Sequence, residues 1–169
     1  MPTILALTAA SHRILTFLYA MTPIGELRLA IPYAVFAAKL PWREAVPIAI
    51  AGNFAPVVPV LLFLEYFSNR LMRYPFCNRC LTWAFDRTRR RSAVIERFEA
   101  IGLVLFVGIP LPFTGAWSGC IAAFLFRIPL RRAVPCIALG ILLASVIVTL
   151  VCLGVISSAL LFGALDKFR

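Results

Sequence analysis

The sequence predicts an all-α integral membrane protein, and three observations lead there. The chain has too much apolar surface for its size, long uncharged stretches, and basic residues gathered in one loop. Of its 169 residues, 62% are hydrophobic and 14% charged, with a mean hydropathy of +0.95. A water-soluble domain of this length leaves too large a share of its surface exposed to hide so many apolar side chains. Lipid must therefore act as part of the solvent, and a single membrane domain over residues 1–169 is expected.

Stretches between charges set the elements. Ala45 to Leu64 gives 20 uncharged residues and Ala133 to Leu165 gives 33; each is long enough to cross a hydrocarbon core about 30 Å thick. Ile14 to Gly25 has only 12 and Leu29 to Ala38 only 10, with Glu26 and Arg28 between them. Both fall short of a crossing, so they predict a helical hairpin that enters the bilayer and turns back. Ala100 to Phe126 has 27 uncharged residues, but Pro110, Pro112 and Gly115 interrupt it. Proline removes a donor and clashes with the preceding turn, which predicts a second hairpin broken there. Irregular backbone at membrane depth survives only where protein or water satisfies it, so each tip must face the other or a polar cavity.

An internal repeat orders these pieces. PWREAVPIAIAG at 41–52 resembles PLRRAVPCIALG at 129–140, and with one gap Pro23 aligns with Pro112 and Glu26 with Gly115. Each half reads hairpin, proline-marked turn, spanning helix. The expected architecture is two inverted repeats, about 1–64 and 101–169, each a re-entrant helical hairpin followed by a transmembrane helix. Repeats of this kind are a recurrent plan of membrane carriers.

The formal net charge of +10 is concentrated rather than spread: eight arginines fall within residues 65–100. Such a loop between apolar segments follows the positive-inside rule, not a nucleic-acid interface. With both hairpins re-entrant, the linker side carries eleven Lys and Arg against five opposite. That bias predicts a cytoplasmic linker at 65–100 in a multi-pass protein of the cell membrane, with both termini outside; a five-span arrangement keeps the linker inside but moves the C-terminus there, and charge counting does not separate the two. Aromatic residues mixed with the arginines predict amphipathic helices on anionic lipid headgroups. Residues 1–20 are kept in the mature chain, because His12 and Arg13 follow the first apolar stretch instead of preceding it.

Enzyme, metal and cofactor signals are missing. There is no Ser/His/Asp set, P-loop or glycine-rich dinucleotide turn. Cys77 and Cys80 form a single CxxC, and His12 is the lone histidine, too few ligands for a zinc site. Cys120, Cys136 and Cys152 read as small buried hydrophobes.

Glu26 and Arg28 are the first candidates for function. A charge inside the bilayer costs about 2.5–3.5 kcal/mol on insertion scales unless paired or hydrated. Desolvation favours the neutral acid, which suits Glu26 to take up and release a proton; Arg28 offers a planar fork for phosphate or carboxylate. Thr114 and Ser118, one turn apart, either face the site or bond back to their own carbonyls. Trp117 either lines the site or packs at an interface. Asn53 is a buried polar group needing a partner, and Pro32 removes the helical donor of the Arg28 carbonyl. Pro23, Gly25, Pro110 and Pro112 mark the tips. Counting by four from Glu26 gives Ala30, Ala34 and Ala38; from Gly115 it gives Gly119 and Ala123. Such small-residue stripes let helices approach closely: either the hairpins pack face to face through them, with Glu26 at the shared tip, or they serve helix packing elsewhere in the bundle.

TPIGELRLAIP at 22–32 and GIPLPFTGAWSGCIAA at 108–123 resemble the paired signatures of the putative small multidrug export protein family. The resemblance covers essentially the whole chain, and that family is distantly similar to the DedA (VTT-domain) superfamily. It implies proton-coupled membrane transport, with polyprenyl-phosphate lipid carriers as one substrate class. On that basis Arg28 is expected to engage a headgroup, Glu26 to titrate, and Thr114 to Trp117 to complete the site. Exchange of lipophilic cations for protons and a non-transporting scaffold are the alternatives. A homodimer is plausible because two hairpins and two spans make a thin wall.

Overall fold

The computed structural model describes residues 2–71, 94–111 and 114–166, with side chains placed for 10–67, 99–111 and 114–154. Most of the basic linker, including Cys77 and Cys80, lies outside the described residues, as does Pro112. Among the described residues the fold is helical throughout. The elements are α1 (Pro2–Met21), α2 (Glu26–Pro32) continuing into a π-helical turn (Tyr33–Ala37), α3 (Trp42–Phe54), α4 (Val57–Leu71), α5 (Val94–Gly108), α6 (Ala116–Leu125) and α7 (Leu130–Asp166).

Helix α1 packs on α3 and α2, α5 packs on α7 and α6, and the two groups are joined by α4 on α6 and by α3 and α2 on α7. Small residues make this possible. Ala20, Ala30, Ala49, Ala116, Ala123 and Ala133 are buried in the common core, letting backbones approach closely. A Cβ on Gly52 would run into the Phe17 carbonyl of α1, and one on Gly140 would lie 2.6 Å from Val107 of α5.

Two apolar stretches are long enough to cross a membrane, Trp42–Phe67 and Leu130–Gly154, and only 33% and 39% of their most apolar windows are buried. The core helix of a water-soluble protein would turn its apolar side chains inward. Here Leu62, Phe63, Leu142, Val146, Leu150 and Val151 point outward, a surface suited to lipid.

Three boundaries differ from the charge-counted expectation. The first arm begins at Pro2 rather than Ile14 and is 20 residues long, about 30 Å at 1.5 Å per residue. Arg13 does not end it, because its guanidinium reaches Glu44 of α3 at 2.7 Å. The first long stretch keeps its spanning length, Trp42–Phe67, but is interrupted by a turn at Ala55–Pro56, where Pro56 has no N–H to give the Gly52 carbonyl. The helices flanking the linker run to Leu71 and from Val94, so they take up both ends of the 65–100 segment.

The hairpin-packing expectation is corrected. Helices α2 and α6 meet at their N-terminal ends, not along their stripes. Ala34 packs with Leu40 and Ala45 of its own half, and the Gly119 face is filled by Val107 of α5, with Ile137 of α7 behind it. Ala30 and Ala123 are instead buried in the core common to both halves, where α2 packs on α7.

Candidate functional site

Two turns form the meeting point. In the first, residues 22–25, the Thr22 hydroxyl donates to the Tyr19 carbonyl at 2.8 Å and accepts from the Gly25 N–H at 3.2 Å. Gly25 is required by space: a Cβ there would lie 2.7 Å from Thr22 Oγ1 and 2.8 Å from the Tyr19 oxygen. Glu26 follows at φ 45°, a left-handed conformation that costs a non-glycine residue about 1–2 kcal/mol. Pro23 is exposed at this turn, and Pro32 ends α2 where the helix loosens into the π turn.

The second turn is knitted by Thr114. Its Oγ1 accepts from the Leu111 N–H at 3.1 Å and stands 2.7 Å from the Ile109 oxygen and 2.8 Å from the Leu111 oxygen. One hydroxyl proton serves one of these carbonyls at a time. Gly115 then adopts φ 156°, ψ −162° as N-cap of α6, a region open in practice to glycine alone. A Cβ there would collide with the Glu26 carboxylate.

The turns interlock through polar groups. The Arg28 guanidinium donates to both the carbonyl and, at 2.9 Å, the hydroxyl of Thr114. Glu26 Oε1 accepts from the Trp117 N–H at 3.4 Å, which sets the carboxylate over the free N–H groups that begin α6. Those groups and the helix dipole favour negative charge. The Trp117 indole N–H closes the joint by donating to the Met21 carbonyl at 3.1 Å.

Asn53 reaches the same place from α3. It is 2% exposed, and its Oδ1 has no hydrogen-bond partner among the described residues. It lines a cavity of about 10 Å³ with Glu26, Arg28, Pro110, Thr114 and Gly115, closed by Val107, Ile141, Ala144 and Val148. That volume has room for about one water.

The structure thus brings Glu26, Arg28, Asn53, Thr114, Gly115 and Trp117 together. Ser118 stands apart: its hydroxyl bonds back to the Gly115 carbonyl at 3.3 Å, and it lines an apolar groove between α5 and α6. Two participants escaped the sequence reading. The Met21 carbonyl is a backbone group with no residue signature. Cys120, read as a small hydrophobe, points its thiol toward the Val57 carbonyl at 3.7 Å and lies within electrostatic reach of Glu26.

The joint combines an acid, a guanidinium, the N–H groups at a helix start and an orphan amide oxygen, drawn from stretches far apart in sequence. The family model for putative small multi-drug export protein matches residues 26–147, from the Glu26 turn through the Thr114 turn into α7. The protein belongs to this family. No curated protein and no solved structure matches the chain. The small multi-drug export family is named for transport across membranes, consistent with the two apolar stretches and their outward-facing side chains.

Proposed function

We propose that the protein is a proton-coupled transporter of an amphiphilic substrate, with a phosphate-headed lipid carrier such as a polyprenyl phosphate as the substrate class. The observation that carries this reading is the joint itself, where Glu26 and Arg28 meet Thr114, Gly115 and Trp117. An acid and a guanidinium placed among apolar helices are costly, and such residues are ordinarily kept for a pathway or a proton relay. Arg28 engages the headgroup, Glu26 carries the proton, and the Thr114–Trp117 turn completes the site. No catalytic chemistry, metal or cofactor is assigned to it.

The proposal includes the inverted repeat with re-entrant hairpins, a cytoplasmic linker on anionic lipid, a distant DedA relationship and assembly as a homodimer. Several matched features support the repeat. Pro41 and Pro129 each precede the helix that follows, α3 and α7. Lys39 and Arg127, two residues earlier, both take left-handed conformations, at φ 51° and 53°. The Leu40 N–H bonds to the Ala34 carbonyl, and the Ile128 N–H to the Ala123 carbonyl, both at 2.9 Å. The single gap needed to align the halves falls across Tyr33–Ala37, where the chain is π-helical. A π turn is how a helix absorbs one extra residue.

Export of lipophilic cations in exchange for protons is the second reading; the family description speaks of multi-drug export without naming a cation, and the positive charge of Arg28 beside Glu26 opposes it. The test is binding in reconstituted liposomes of a polyprenyl phosphate against a lipophilic cation, with wild type and Arg28→Ala. Phosphate-lipid binding lost in the variant is expected. Cation binding that survives Arg28→Ala would turn the reading to drug export. Binding of neither would favour a scaffold.

A further inference from the structure

We propose that the Glu26 carboxylate occupies an anion-binding position at the start of α6, that the phosphate group of a ligand replaces it there, and that Asn53 then receives the protonated Glu26 side chain. This rests on the transport reading above and gives it a coupling device.

The N-cap of α6 is Gly115, which brings no capping side chain. The place is taken instead by a carboxylate from another helix, through the Trp117 N–H. Helix N-termini bind phosphate through such unsatisfied N–H groups. Arg28 borders the same corner through Thr114, and its fork has more donors than those two contacts use. Glu26 is thus a built-in stand-in for an external anion.

Asn53 supplies the second position. Its buried Oδ1 lacks a donor and lines the same cavity as Glu26. An ionised carboxylate has no proton to offer it, whereas a protonated one carries an O–H. On protonation one Glu26 oxygen takes a proton from the aqueous side, gives up the Trp117 N–H and donates to Asn53 Oδ1. When the anion leaves, the proton returns to water and the carboxylate returns to α6.

Space and charge make the two occupants exclusive. The cavity of about 10 Å³ has no room for an oxyanion beside the carboxylate. Arg28 and ionised Glu26 sum to zero, so an incoming anion would leave uncompensated negative charge unless one proton entered with it. Among the described residues, the charged or titratable groups facing Glu26 are few. Arg28 is on its own helix and Cys120 on α6. Helix α3 presents Asn53 and α7 presents Ile141, Ala144 and Val148, while the Tyr19 and Met21 carbonyls of α1 are taken by the Thr22 hydroxyl and the Trp117 indole.

The test is binding of inorganic phosphate and of a polyprenyl phosphate to the protein in lipid nanodiscs, from about pH 5.5 to 8.5, with proton uptake followed by a pH dye. The Glu26→Gln profile gives the titration of the phosphate itself. Relative to it, wild-type affinity is expected to fall about tenfold per pH unit once Glu26 is ionised, with about one extra proton taken up per anion. Asn53→Leu should weaken binding about tenfold at low pH while keeping the uptake. Binding of the lipid alone identifies a headgroup site; equal binding of both probes identifies a free-phosphate site. Superimposable profiles for wild type and Glu26→Gln, with binding still lost in Arg28→Ala, would overturn the exchange and leave the transport reading intact. Binding of neither probe by either protein would overturn both. Should Glu26→Gln fail to fold, wild-type binding unaffected by Asn53→Leu overturns the proposal by itself.

Discussion

Helices α3 and α7 begin alike, each directly after a proline, Pro41 or Pro129, with a second proline, Pro47 or Pro135, in the second turn. They end differently: α3 stops at Phe54, while α7 continues to Asp166. In the register of the repeat, Pro56 and Pro59 correspond to Ala144 and Ile147. Tolerated prolines sit near the start of a helix, and those further in break the bond ladder. The difference extends to the site. Glu26, Arg28 and Asn53 in the first half correspond to Gly115, Trp117 and Ile141 in the second. One half brings the charges and the amide, and the other brings the bare helix end that receives them.

The sharpest way to break this arrangement is Gly115→Ala. The new Cβ collides with Glu26 and the backbone is one that alanine avoids, so a loss of about 3 kcal/mol or more is expected in thermal unfolding. Adding Glu26→Ala should recover part of it by removing the collision, leaving the backbone strain. If the double variant is no more stable than the single, the two residues are not in contact.

Exchanging the proline pattern comes next. Ala144→Pro should break α7 at a buried position and cost about 3 kcal/mol. Pro56→Ala should change stability by less than about 1 kcal/mol, yet spin labels at the exposed Trp42 and Phe67 should move apart if α3 and α4 join.

Smaller effects probe the polar half. Asn53→Leu removes an unpaired buried oxygen and should stabilise the protein by about 1 kcal/mol with Glu26 ionised. The gain should vanish at low pH, where protonated Glu26 supplies the donor; a gain constant with pH would refute that pairing. The smallest effect is expected at the matched left-handed residues. Lys39→Gly should stabilise by about 1 kcal/mol through relief of its φ of 51°. Arg127→Gly relieves the matching φ of 53° and should gain a similar amount.

Much of the helix plan was legible because breaks leave chemical marks. Pro110 and Gly115 flagged the turn between α5 and α6, and Pro129 flagged the start of α7. The Pro56 break was passed over because counting charges does not register a proline inside an apolar run. Arg13 misled for the opposite reason: a charge ends an apolar stretch on paper, but not a helix whose neighbour offers Glu44. Among the site residues, Glu26, Arg28 and Asn53 stood out as polar groups in apolar surroundings. The roles of Trp117 and the Met21 carbonyl did not, since backbone groups and indole N–H partners depend on which turns meet.

By itself the sequence determined that this chain is helical and needs lipid, because hydrophobic content, uncharged length and proline placement are local properties that any packing must respect. It also marked Glu26 and Arg28, since a charge among apolar residues is costly in any arrangement. Only the tertiary structure decided that the two small-residue stripes do not pack against each other along their length, and that Arg28 turns to Thr114. It alone set the Glu26 carboxylate on the first turn of α6 and left Asn53 without a donor. Those outcomes depend on distances between segments about ninety residues apart in the sequence, which the shape of the whole helix bundle sets.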